Sequence, residues 1–95
     1  MFASVRRYHN VPDIDRLKDM CEEGLVPIFR RNPGFRAYYG IGSGTDLVTV
    51  SLYDSEESAR ASAKQAAEWI ALLDEGLMPP ASDTLNGEAK LVVTA

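Results

Sequence analysis

The stretch Asp46-Leu47-Val48-Thr49-Val50-Ser51-Leu52-Tyr53 decides the fold. It puts Val48, Val50 and Leu52 on one side and Leu47, Thr49, Ser51 and Tyr53 on the other, the period of two that marks a β-strand with unlike faces. Gly42-Ser43-Gly44-Thr45 supplies hairpin residues just before it, so the aromatic-rich run from Phe35 to Ile41 pairs with it antiparallel. Just after it, Asp54 or Ser55 caps a helix, with Asp54 and Glu57 at capping-box spacing. Ala59, Ala63, Ala66, Ile70 and Leu73 form the buried stripe of that helix, which is expected from Glu56 to Glu75 and ended by Gly76.

Upstream, Phe2 to Tyr8 reads as a strand that stops at His9-Asn10-Val11-Pro12. Asp13 is a good N-cap, and Ile14, Leu17, Cys21, Leu25 and Ile28 recur at spacings of three and four. Pro27 lacks an N–H and crowds the turn before it, so this helix is expected to end near Glu23, with a separate turn from Pro27 to Arg31. Asn32-Pro33-Gly34 is a stop and turn signal. Downstream, a loop from Met78 to Asp83 leads to a fourth strand expected from Gly87 to Thr94. The order β-α-β-β-α-β, within one domain of residues 1–95, is the ferredoxin-like α+β pattern. It places two helices on one face of a four-stranded antiparallel sheet.

The more aliphatic side of each strand is expected under the helices: Ala3 and Val5, Val48, Val50 and Leu52, Leu91 and Val93. The open face then carries Phe2, Arg6 and Tyr8, together with Tyr38 and Tyr53. A patch this aromatic marks an interface, so a C2 homodimer through these five residues is expected, with Arg6 in reach of Glu88.

Composition sets the outer bounds. The 95 residues are 45% apolar and 25% charged, an ordinary globular balance. Ten basic against 14 acidic side chains give a net charge of −4, which opposes binding to nucleic acid or an anionic membrane. Cys21 has no partner for an internal disulfide, no apolar run approaches a bilayer span, and Met1 to Arg7 lacks the form of a signal peptide. A cytoplasmic protein is expected.

Four segments carry a resemblance: Val26-Pro27-Ile28, Asn32-Pro33-Gly34-Phe35-Arg36-Ala37-Tyr38, the run from Val50 to Ala59, and Glu68-Trp69-Ile70. Together they resemble the antibiotic biosynthesis monooxygenase family of the dimeric α/β-barrel superfamily. The resemblance implies a homodimer with a pocket between sheet and helices, and oxygenation of a small aromatic substrate with no metal, flavin or other cofactor. The haem-degrading branch of that superfamily places an Asn in strand one and a His on the second helix, and this chain has neither.

Five residues are candidates for such a site, and Trp69, His9 and Asn10 each have a plainer reading as well. Trp69 is a core cap or a pocket wall that stacks on an aromatic ring. Tyr39, on the other side of its strand from Tyr38, is a hydroxyl donor. His9 is a surface-turn residue or a general base, and a single His without further ligands makes no metal site. Asn10 is a turn residue or an amide for a phenolate, and Arg7, on the opposite face from Arg6, reaches the pocket to bind an anionic group. Cys21, on the helix stripe, reads as packing. Gly40 to Gly44 precedes a strand, so it is no nucleotide loop.

Three functions are compatible with this reading. They are a cofactor-independent oxygenase, a non-catalytic small-molecule-binding or interaction module, and an RNA-binding module. The last lacks the basic and aromatic signature of its third strand and is opposed by the acidic balance.

Overall fold

The computed structural model describes residues 1–73 and 76–95. Strand β1 (Phe2–Tyr8) is followed by helix α1 (Ile14–Arg30), the hairpin β2 (Phe35–Ser43) and β3 (Asp46–Tyr53), helix α2 (Glu56–Ile70), and β4 (Asp83–Glu88). The four strands form one antiparallel sheet in the order β2-β3-β1-β4. The fold is therefore the ferredoxin-like arrangement expected from the sequence, with β1 and β3 at the expected bounds.

Local chemistry explains the helix starts. The Asp13 carboxylate accepts the Arg16 backbone N–H at 3.0 Å, and the Ser55 hydroxyl accepts that of Ser58 at 3.2 Å. Asp54 is not the cap; it pairs instead with Arg36.

Helix α1 does not stop near Glu23 but runs on through Gly24 and Pro27 to Arg30. Pro27 deletes only the bond to the Glu23 carbonyl, and both residues are exposed, so water meets that group. Continuing the helix also buries Leu25 and Phe29, each worth roughly 1.5–3 kcal/mol, which offsets the lost bond. Past Arg30, the Asn32 side chain donates to the Ser58 carbonyl at 2.8 Å and accepts the Gly34 N–H at 2.9 Å, tying the end of α1 to α2.

Three other bounds move. Strand β2 runs to Ser43 and not Ile41, because Gly42 and Ser43 pair with Leu47 and Asp46 and leave only Gly44 and Thr45 in the turn. Helix α2 ends at Ile70 and not at Glu75; Asp74 and Glu75 lie outside the described residues. Strand β4 occupies Asp83–Glu88 and not Gly87–Thr94. Pairing to β1 runs from Arg7↔Asp83 to Phe2↔Glu88, beyond which the Ala89 N–H donates to the Met1 carbonyl at 2.9 Å. Leu91 and Val93 are consequently exposed and do not lie under the helices.

The largest correction concerns the faces of the sheet. Tyr8 and Tyr53 are 5% and 2% exposed, and Leu47 and Thr49 are also buried. Phe29 of α1 packs on Tyr38 with ring centroids 4.7 Å apart, and on Phe35 at 5.4 Å. The face carrying Phe2, Arg6, Tyr8, Tyr38 and Tyr53 thus lies beneath the helices and is not the open one. The physical reason is volume. Helix α2 presents Ala59, Ala63 and Ala66 to the sheet, and such short side chains leave room that only long rings fill. Ala3, Val5, Val48, Val50 and Leu52, with Tyr39 and Ile41 at 55% and 59% exposure, form the bare face.

Arg6 does not pair with Glu88 either. The Glu88 carboxylate binds the N-terminal ammonium at 2.8 Å, which holds its pKa below the usual carboxylate value.

Candidate functional site

The core has two apolar ends with a polar band between them. Tyr8, Val11, Leu17 and Leu47 cluster at one end, and Leu25, Phe29 and Ala66 at the other. Between them the sheet contributes Arg6, Tyr38, Thr49 and Ser51 to a closed cleft under the helices. Its volume is about 30 Å³, room for one or two water molecules. The expected space between sheet and helices therefore exists, but side chains fill most of it.

Tyr38 and Thr49 also form the floor of a second, open space of about 630 Å³ between α1 and the edge strand β2. Ile14, Leu17, Lys18 and Cys21 wall this groove on the helix side. Gly40 and Gly42 share the helix-facing side of β2 with Tyr38 and keep the groove open. A Cβ at Gly40 meets nothing within 4 Å, and one at Gly42 would press on Ile14 at 3.0 Å.

Electrostatics keep the band protonated. Burial pushes the Tyr38 phenol far above its ordinary value, opposed by a hydrogen bond with Thr49 and by the Arg6 charge. Burial likewise raises Tyr8, again opposed by Arg6. Burial raises the Cys21 thiol, which therefore stays a thiol. Tyr38 is thus a neutral O–H donor at the base of an open groove. Such a donor stabilises an anionic oxygen in a low-dielectric site.

The five residues expected to form a site do not converge. Tyr39 and Arg7 are exposed on the bare side of the sheet, opposite the cleft. His9 is exposed, with its Nδ1 2.7 Å from Asp46 Oδ1. Asn10 is an exposed turn residue at φ 61°, a left-handed conformation that Asn tolerates. Trp69 caps the apolar cluster of Leu25, Phe29 and Ala66, and lines an outer groove with Ile28, Pro33 and Leu72 and not the inner cleft. Among the described residues no group of three His, Cys, Asp or Glu side chains is placed to hold a metal.

Sequence reasoning missed Tyr38, Thr49 and Arg6 as the inner polar band because it ranked the two faces of β3 by hydropathy. The signal available was the Ala-rich stripe of α2, which calls for large partners on the sheet.

Solved structures share this fold. Rv0793 from Mycobacterium tuberculosis superposes with a TM-score of 0.71 at 22% identity, covering 99% of this chain and 98% of that one. The monooxygenase ActVA-Orf6 of Streptomyces coelicolor, in complex with the ligand nanaomycin D, gives 0.72 at 20% identity, with 99% and 91% covered. SnoaB, a cofactor-independent oxygenase from Streptomyces nogalater, gives 0.68 at 12% identity, with 99% and 97% covered. No protein-family model and no curated protein sequence matches the chain. The chain has the fold of the antibiotic biosynthesis monooxygenases. No helix among the described residues is long and apolar enough to cross a membrane.

Proposed function

We propose that this chain is a cofactor-independent oxygenase that takes a small aromatic substrate in the α1–β2 groove and works as a homodimer. The observation that carries the reading is the protonated Tyr38 hydroxyl, beside Thr49, on the floor of a groove that Gly40 leaves open. The fold shared with ActVA-Orf6 and SnoaB supports it. The dimer rests on the bare face, where Val5, Val48, Val50, Leu52 and Ile41 offer the apolar surface that a second copy covers.

The chemistry asks little of the protein. A reduced aromatic substrate ionises at its ring hydroxyl, giving its proton to water at the groove mouth. A hydrogen bond from Tyr38, which Thr49 supports by its own bond to the Tyr38 oxygen, holds the resulting oxyanion. The anion passes one electron to O₂, and the substrate radical and superoxide combine at carbon as a peroxide that takes up a proton. Loss of water from this peroxide turns that ring C–H carbon into a carbonyl and the ionised hydroxyl carbon into a second one. One oxygen atom enters the product, and the other leaves as water with the hydrogen of that carbon and the proton the peroxide took up.

Oxygen uptake with a hydroxyanthracene-type compound tests this. The wild type should consume one O₂ per substrate, and Tyr38→Phe should slow turnover about 100-fold, the typical effect of losing an oxyanion donor. Gly40→Leu, which fills the groove and keeps the Tyr38 hydroxyl, should abolish it. Uptake unchanged in both variants would remove the groove from the mechanism.

One observation favours a non-catalytic binding module as the second reading. Among the described residues, the acids that line the groove, Asp13 and Asp15, stand at the start of α1, where Asp13 is engaged as the helix cap, and no imidazole lines it. Binding of the aromatic compound without oxygen uptake would select that reading.

A further inference from the structure

Arg6 is a half-buried cation with no carboxylate partner among the described residues. Its guanidinium hydrogen-bonds the Tyr8 hydroxyl, but Tyr8 and Tyr38 are buried phenols that stay neutral, so neither supplies a counter-charge. Withdrawing a guanidinium from water without an anion is costly, and a protein that keeps one in that state commonly uses it on a ligand.

The surroundings of Arg6 say what that ligand is. Arg6 also lines a pocket of about 280 Å³ between α2 and the β1–β4 edge, which adjoins the inner cleft through Ser4, Ala59 and Ala63. In it, the Ser4 hydroxyl donates to Asn86 Oδ1 at 2.6 Å. That bond fixes the amide and leaves its NH₂ group to donate. Phe2, Ala59 and Ala63 make the wall apolar. Glu56, the one carboxylate in the pocket, is held by Arg60 at 2.6 Å, so the charges of Arg6, Arg60 and Glu56 leave one net positive charge. The chain as a whole carries −4, so the positive excess is local.

We propose that Arg6 and Asn86 form a binding site for a small carboxylate whose apolar body packs on Phe2, Ala59 and Ala63. A planar guanidinium matches a carboxylate through two parallel hydrogen bonds, and the Asn86 amide supplies a third donor. A pocket this size sits at the lower end of the range for ligand sites and suits a single ring. The inference does not depend on the oxygenase reading, because the pocket opens at the β4 edge, away from the α1–β2 groove.

Benzoate, cyclohexanol and inorganic phosphate, each titrated into the ¹⁵N-labelled full chain, test it by NMR. Benzoate should shift the Arg6 Nε–H and Asn86 side-chain amide signals in a saturable manner. Cyclohexanol lacks the carboxylate and phosphate the apolar body, and each should bind at least tenfold more weakly. Asn86→Asp keeps the size of the side chain and its bond from Ser4 but adds a repelling charge, and should weaken benzoate at least tenfold. Arg6→Lys should weaken it severalfold by losing the paired geometry. Benzoate shifts confined to other residues, phosphate binding as tight as benzoate, or an affinity unchanged in Asn86→Asp would each overturn the proposal.

Discussion

Tyr38 and Tyr39, adjacent in β2, stand on opposite sides of the sheet: Tyr38 packs 4.7 Å from Phe29 beneath α1, while Tyr39 is 55% exposed on the bare face. This one relation separates two roles. The helix-covered side holds rings, hydroxyls and a cation around a cleft. The bare side carries the aliphatic Ala3, Val5, Val48, Val50 and Leu52, with Arg7 and Tyr39 beside them.

Such a bare face predicts self-association. In sedimentation at micromolar concentration the wild type should run at twice the 10.4 kDa protomer mass. Val50→Lys, at the middle of β3 on the bare face, should run at the protomer mass, because an uncompensated buried charge costs several kcal/mol. A wild-type monomer would remove the dimer from the account.

A second prediction concerns Gly24 and Trp69. A Cβ at Gly24 would overlap the indole, so the glycine gives room for the ring to seat between the helices. Gly24→Ala should destabilise the chain by about 1–3 kcal/mol, as overpacking does. In a Trp69→Leu background much of that cost should vanish, giving a coupling of at least about 1 kcal/mol in chemical denaturation. Additive costs would mean that the overlap is relieved elsewhere.

The elements were legible in the sequence wherever one local signal settled them. Alternation set β3, Asp13 and Ser55 marked the helix starts, and Asn32-Pro33-Gly34 marked the turn into β2. The sidedness of the sheet was not legible from strand hydropathy, because the two faces are similarly apolar: Val48 and Val50 are as apolar as core residues although no helix lies on them. The reach of α1 past Pro27 was hidden for another reason. Its support is tertiary, coming from Leu25 and Phe29 in the core, and propensity does not see it. The candidate site was displaced by the same inversion, which moved Arg7 and Tyr39 outside and Arg6 and Tyr38 inside.

Alkaline pH supplies a third prediction. Tyr38 and Tyr8 ionise near 10.0 when unfolded and well above it, or above it, when folded. The unfolded chain then binds fewer protons at high pH, so stability is fully present below about pH 10 and falls as pH rises beyond it. The limiting slope is about 1.4 kcal/mol per pH unit for each phenol. The urea midpoint of the wild type should drop between pH 9 and pH 11 (about the unfolded tyrosine pKa). Tyr38→Phe should drop less over the same interval. Equal losses in the two proteins would show that the Tyr38 phenol is not sheltered.

The most direct measurement of the central claim, that the helix-covered side and not the bare side receives the aromatic molecule, is NMR mapping with a simple hydroxyanthracene under nitrogen, where no turnover occurs. The account predicts saturable shifts at Cys21, Tyr38, Gly40 and Thr49, with none at Tyr39 or Val50, and their loss in Gly40→Leu. Shifts centred on Tyr39 and Val50, with the Tyr38 and Thr49 signals unmoved, would contradict it.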